Sequence, residues 1–207
     1  MSITLLIIVA TVIISMMAWR DYSLMDRWVM NPYQVVHRGQ YYRLITSGFL
    51  HADWGHLIFN MLSFYFFGGF IEQVFYALFG GSGPIYLIGF YLVAIIVSDI
   101  PTLLKNRNNP NYNSLGASGG VSAIIFAGIL FRPLNPIYLF FIPIGIPGFI
   151  FGPLYLAYSY YESRRGLSAI NHDAHFYGAL FGVLFMIIVY PPVLSQFIEQ
   201  IAGWRLF

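Results

Sequence analysis

Leu115-Gly116-Ala117-Ser118-Gly119-Gly120-Val121-Ser122 decides how this chain is read. A serine set among small residues opens an apolar run, Ser118 to Phe131, that reaches the length of a bilayer crossing only when the preceding turn is counted. Two explanations compete. The small residues could serve only to let two membrane helices approach closely, with the hydroxyls returned to backbone carbonyls. Alternatively the serine is there for chemistry, and that depends on what else shares its depth.

The surrounding chain is not that of a water-soluble domain. Of 207 residues, 58% are hydrophobic and 9% charged, too little charge to coat a water-facing surface of this size. Apolar stretches of spanning length recur at Ile3 to Ala18, His56 to Phe79, Ile85 to Ile100, Gly116 to Phe131, Pro136 to Tyr158 and Ala174 to Val193. The expectation is an all-α polytopic membrane protein, six helices forming one domain over residues 1–207. Ile3 to Ala18 has no basic residue before it and ends in Met16-Met17-Ala18-Trp19-Arg20, a poor cleavage site, so it reads as a retained helix instead of a signal peptide. The chain has no cysteine, which removes disulfide and thiol chemistry. A net charge of +2 without a run of Lys or Arg gives no track for nucleic acid.

Outward from Ser118, three loops matter. Trp19 to Gly55 mixes Trp28, Tyr33, Tyr41, Tyr42 and Trp54 with Arg20, Arg27, Arg38 and Arg43, a composition suited to the headgroup region. It leads into Asp53-Trp54-Gly55-His56-Leu57-Ile58-Phe59-Asn60, where His56 and Asn60 stand four apart and share one helix face. Glu72, 16 positions beyond His56, falls near the opposite surface and reads as structural. Lys105 to Asn113, rich in Asn and interrupted by Pro110, is a surface loop that delivers the chain to Ser118, and Asp99 is placed at the end of the helix before it. The fifth span carries Pro136, Pro143, Pro147 and Pro153, which excludes a straight helix. The last loop opens the sixth helix with His172-Asp173-Ala174-His175-Phe176-Tyr177-Gly178, with Gly182 one turn further; His175, Gly178 and Gly182 form a stripe on which another helix can come close.

Six crossings put the loops before helices two, four and six on one side of the membrane. His56, Asn60, Ser118 and His175 all lie in the first turns of those helices and so converge at one face and one depth. The chemistry such a group supports is acyl transfer. A serine hydroxyl needs a base, which His175 can supply from another helix. A developing oxyanion needs fixed donors, for which His56, Asn60 and the backbone N–H of Ser118 are the candidates. Asp173, two residues from His175, points away on a helix, so the expectation is a Ser118/His175 dyad.

These residues resemble the rhomboid intramembrane serine proteases: Ser118 in Gly-Ala-Ser-Gly, His175 in Ala-His-x-x-Gly-x-x-x-Gly, and His56-x-x-x-Asn60, in the family's order. His51, the pair Gly68-Gly69 followed by Glu72, and Tyr42-Arg43 where the family usually has Trp-Arg extend the likeness from about Tyr42 to Gly182. The resemblance implies Ser118 as nucleophile, His175 as base, and His56 and Asn60 as oxyanion contributors. It further implies a membrane-embedded first loop, a fifth helix beside the path of substrate entry, transmembrane segments of membrane proteins as substrates, and no cofactor. Some members carry an aromatic residue four positions after the serine that packs on the histidine. Here that position is Ser122, so the group that orients His175 is not given by the resemblance.

Arg20, Arg27, Arg38, Arg43, Lys105, Arg107, Arg164 and Arg165 lie on the catalytic side against Arg132 and Arg205 on the other, which by charge places that side in the cytoplasm. The resemblance implies the reverse, a cell (plasma or inner) membrane with the active site outside, and that orientation is the expectation adopted. Three rivals remain: a catalytically silent rhomboid-like factor that binds membrane proteins, a metal site of His51, His56, His172 and His175, and a channel or transporter. The sequence lacks His-Glu-x-x-His, and it shows neither duplicated halves nor a mid-membrane charged pair. His172 reads as an interfacial loop residue.

Overall fold

The computed structural model describes residues 2–138, 144–166, 168 and 170–205. The described chain is mostly helical: α1 (Ile3–Arg20), α2 (Tyr22–Trp28), α3 (Pro32–Arg38), α4 (Arg43–Thr46), α5 (Trp54–Phe79), α6 (Gly83–Asn106), α7 (Ser118–Phe131), α8 (Gly148–Arg165), α9 (His172–Val189) and α10 (Pro192–Ala202). A two-stranded antiparallel hairpin, β1 (Pro136–Tyr138) and β2 (Gly145–Pro147), precedes α8. Among the described residues, three continuous helical runs are long and apolar enough to cross a bilayer: Ile3–Arg20, the α5–α6 run Trp54–Asn106, and His172–Val189.

Three expected boundaries are corrected. The fifth span does not begin as helix at Pro136. Pro136–Tyr138 and Gly145–Pro147 pair as strands, and the helix starts at Gly148, because prolines lack the N–H that a helix interior needs. The expected Pro143 falls outside the described residues. The sixth span stops at Val189 instead of Val193, since Pro191 and Pro192 end one helix and begin α10. Asp99 is not terminal. α6 runs through Pro101 to Asn106, leaving Asp99 buried inside it.

α7 is the centre. All its residues except Ser118, Ile125 and Phe131 are buried, and it packs on α5, α6, α8 and α9, most extensively on α9. At 14 residues it is only about 21 Å long. The small residues around Ser118 serve this packing. A Cβ on Gly178 would meet the Gly119 carbonyl, and one on Gly182 would meet that of Ala123, so the α7 and α9 backbones are in direct contact.

α1 closes the outside of the bundle. The Glu72 carboxylate on α5 accepts from the Ser2 hydroxyl (2.6 Å) and from the N–H groups of Ile3 (2.8 Å) and Thr4 (3.0 Å), capping α1 from another helix. The structural role expected of Glu72 is therefore given specific partners. At the other end of α1, Ser15 Oγ donates to the Phe49 carbonyl (2.9 Å) and lies 3.0 Å from His51 Nδ1, while Trp19 Nε1 donates to the His51 carbonyl (2.7 Å).

The long first connection is folded into α2, α3, α4 and a 3-10 turn at Ser47–Phe49. Arg43 fastens it. This side chain, 5% exposed, donates to the carbonyls of Asp26 (2.7 Å) and Val29 (2.8 Å) and to Gln40 Oε1 (2.7 Å). Arg43→Ala orphans those carbonyls and is expected to cost on the order of 3 kcal/mol, read as a fall of about 5–10 °C in the thermal midpoint of the detergent-solubilised protein. Arg43→Lys should fall between, because one ammonium cannot reproduce the planar fork.

Candidate active site

The loop that presents Ser118 is held by the first connection. Met30 and Ser114 exchange backbone hydrogen bonds (3.0 Å each), Gly116 N–H donates to the Ser47 carbonyl (3.0 Å), and Asn31 Nδ2 reaches the Pro110 carbonyl and Asn113 Oδ1 (3.0 Å each). Gly116 takes φ +125°, a conformation reserved for glycine, and a Cβ there would stand 2.6 Å from His56 Cε1. The His56 imidazole therefore lies against the backbone two residues before Ser118. The backbone N–H of His56 donates to Asp53 Oδ1 (2.8 Å), and the imidazole meets that of His51 edge to face at 4.9 Å.

His51 is fully buried, and that burial, reinforced by His56, pushes its imidazole down to about 3. It is neutral at physiological pH. Because the Ser15 hydroxyl donates to Phe49, its lone pair accepts from Nδ1–H of His51. His51 is thus a prop between α1 and His56.

Ser118 is the first residue of α7 and is half-buried. Its N–H belongs to the first helical turn, whose N–H groups lack intrahelical acceptors. His175 sits one turn into α9, also half-buried. Gly119 packs directly against Gly178, and a Cβ on Gly119 would lie 3.4 Å from the Ala174 carbonyl, so the turns carrying Ser118 and His175 abut. Among the described residues no hydrogen bond joins Ser118 to His175. Catalytic hydrogen bonds are often long in unliganded sites. Asn60 is buried on the face of His56 one turn along α5, and its Nδ2 donates to the His56 carbonyl (3.0 Å), which leaves its second N–H for any other acceptor.

The His175 ring is held by a residue the sequence did not single out for the site. Tyr155 of α8 stacks on it with rings 12° from parallel and centroids 6.2 Å apart, and the Tyr155 hydroxyl lies 3.0 Å from Nδ1 and 3.3 Å from Ser122 Oγ. In the sequence Tyr155 is one of four tyrosines near the end of the fifth span, with Tyr158, Tyr160 and Tyr161, a composition suited to the membrane interface. The one available hint was negative: a small residue at Ser122 requires some other ring. Asp173 turns away from His175, as expected, toward the Ser163 hydroxyl and Lys105 (3.5 Å).

His172 corrects the loop assignment. It opens α9, is 4% exposed, accepts or donates at Ser168 Oγ (3.2 Å) and meets Tyr158 edge to face. Among the described residues, no three His, Asp or Glu side chains are placed to share a metal ion; His51 neighbours His56 and His172 neighbours His175, as two pairs.

Residues 38–192 match the model of the Rhomboid domain family. The chain is 30% identical over 181 residues to "RHOMBOID-like protein 12, mitochondrial" of Arabidopsis thaliana, covering 78% of this chain and 51% of that protein. It is 31% identical over 176 residues to "Rhomboid-related protein 1" of Caenorhabditis elegans, covering 79% and 44%. The chain thus spans about half the length of the curated relatives it matches. With its long apolar helices, this match makes it an integral membrane protein. The chain belongs to the rhomboid family.

Proposed function

We propose that this chain is an intramembrane serine endopeptidase that hydrolyses peptide bonds in or beside transmembrane segments of membrane proteins. The observation that carries the reading is the abutment of two helix starts, Gly119 on Gly178, which brings a serine and a histidine from separate helices to one face. Six crossings formed by α1, α5, α6, α7, α8 and α9 fit the lengths and contacts of the bundle, with α2 to α4 lying in the membrane interface.

In this mechanism His175 Nε2 takes the proton of Ser118 Oγ as the oxygen attacks the scissile carbonyl carbon. The oxyanion is held by the Ser118 N–H at the positive end of α7, by His56 and by the free N–H of Asn60. His175 then protonates the departing amine, leaving an acyl-serine. A water activated by the same imidazole releases the second product. Water reaches the site because Ser118 and His175 are only half-buried.

Substrate enters from the lipid along α7. α5 and α8 flank that helix without substantial contact with each other. A second reading, a silent binding factor, draws on the missing Ser118–His175 hydrogen bond. The adopted orientation places the active site outside the cell membrane; Arg43, bonded to backbone carbonyls, is part of the folded first connection.

A fluorophosphonate probe separates the two. The wild type is expected to be labelled at Ser118, and His175→Asn to lose labelling by about 10³-fold or more, since an unassisted serine is a weak nucleophile. Labelling that is equal in both proteins, or absent from a folded wild type, would favour the silent factor.

A further inference from the structure

Ser122 stands where a ring would otherwise steady His175, and Tyr155 fills that space from a different helix. The tyrosine is itself clamped, its ring against Phe151 (5.5 Å) and Phe126 (5.7 Å). We propose that Tyr155 is a positioning residue that fixes the tautomer of His175, with Ser122 as the acceptor that sets the direction of the hydrogen-bond chain. This inference rests on the protease reading above.

A neutral imidazole has one N–H and one lone pair. To take the Ser118 proton, His175 must keep the lone pair on Nε2 and the hydrogen on Nδ1. Nδ1 faces the Tyr155 hydroxyl, and a phenol can either accept from it or donate to it. Donation would force the hydrogen onto Nε2 and leave no base for the serine. Ser122 decides between the two, because its Oγ offers the Tyr155 hydrogen another destination. The chain then runs Nδ1–H to Oη, and Oη–H to Oγ. When Ser118 surrenders its proton, the Oγ–H bond breaks and an Nε2–H bond forms. Nδ1 keeps its hydrogen, Tyr155 keeps its own, and the Oη lone pair faces the new imidazolium. An aromatic side chain at 122 would occupy the space of the Tyr155 hydroxyl, so the two positions are coupled. The tautomer also depends on α8 being seated against α9.

The test is nitrogen NMR on full-length protein carrying 15N-histidine in lipid bilayers, with the His175 signals identified by difference from His175→Asn. The wild type is expected to show hydrogen on Nδ1 and a bare Nε2. Tyr155→Phe, which retains the ring, should move population to the opposite tautomer and lower kcat by about 10- to 100-fold, as loss of a hydrogen bond that orients a functional imidazole does, with KM unchanged. Ser122→Ala should shift the tautomer in the same direction by less. Tyr155→Ala combined with Ser122→Tyr returns a ring from α7 and should recover part of kcat relative to Tyr155→Ala. Wild-type hydrogen on Nε2, or His175 signals unaltered in Tyr155→Phe, overturns the proposal. If Ser118→Ala cleaves as well as the wild type, it is the protease reading that fails, and the spectra still decide the assignment to Tyr155.

Discussion

Ser118→Ala is expected to lower cleavage of a single-pass substrate with a helix-destabilised segment by at least about 10⁴-fold, the scale on which removal of a serine nucleophile acts. The expectation is sharp because the hydroxyl carries no structural duty. Among the described residues it makes no hydrogen bond, and alanine is at home at a helix start. The thermal midpoint should therefore stay within about 2 °C of the wild type. Product formation by mass spectrometry and unfolding by intrinsic fluorescence, measured on the same preparation, separate the two effects. Cleavage that persists in the variant, or that a chelator suppresses in the wild type, would end the serine mechanism.

The second large effect is on assembly. Gly178→Val places a branched side chain where even a Cβ overlaps the Gly119 carbonyl, and the obstacle is backbone that cannot rotate aside. The cost is expected to exceed about 3 kcal/mol, the upper range for overpacking a filled core, and the α7–α9 contact must open. Yield of monodisperse protein in mild detergent should fall severely, and any folded remainder should lose fluorophosphonate labelling because Ser118 and His175 have been pushed apart. Gly69→Ala is the control: nothing lies within 4 Å of a Cβ there, and α5 should tolerate it fully. A well-folded, fully labelled Gly178→Val protein would mean that the backbone contact does not set the site.

The meeting of the turns that carry Ser118 and His175 was legible from the expected alternation of crossings, which requires no knowledge of side-chain packing. His56 followed from the same argument, and Gly178 and Gly182 from helical spacing. The hidden parts depended on register. Which α8 tyrosine meets His175 is set by where α8 begins, and that start is fixed by pairing of Ile137 with Ile146 in a hairpin that an apolar, proline-rich stretch does not announce. Pro191-Pro192 did carry a readable stop signal, but the run of apolar residues around it looked like continuous span. The partners of Glu72 lie about 70 positions away in sequence, which spacing rules cannot reach.

That long-distance cap has a consequence for biogenesis. α1 lies before the stretch shared with the family, yet its opening amides hydrogen-bond a carboxylate that α5 would otherwise carry without a partner. The order of the two helices along the chain means that the ribosome has already delivered the counter-group when Glu72 emerges. A chain rearranged so that α1 is synthesised last should stall at that step of insertion and be handed to quality-control proteolysis.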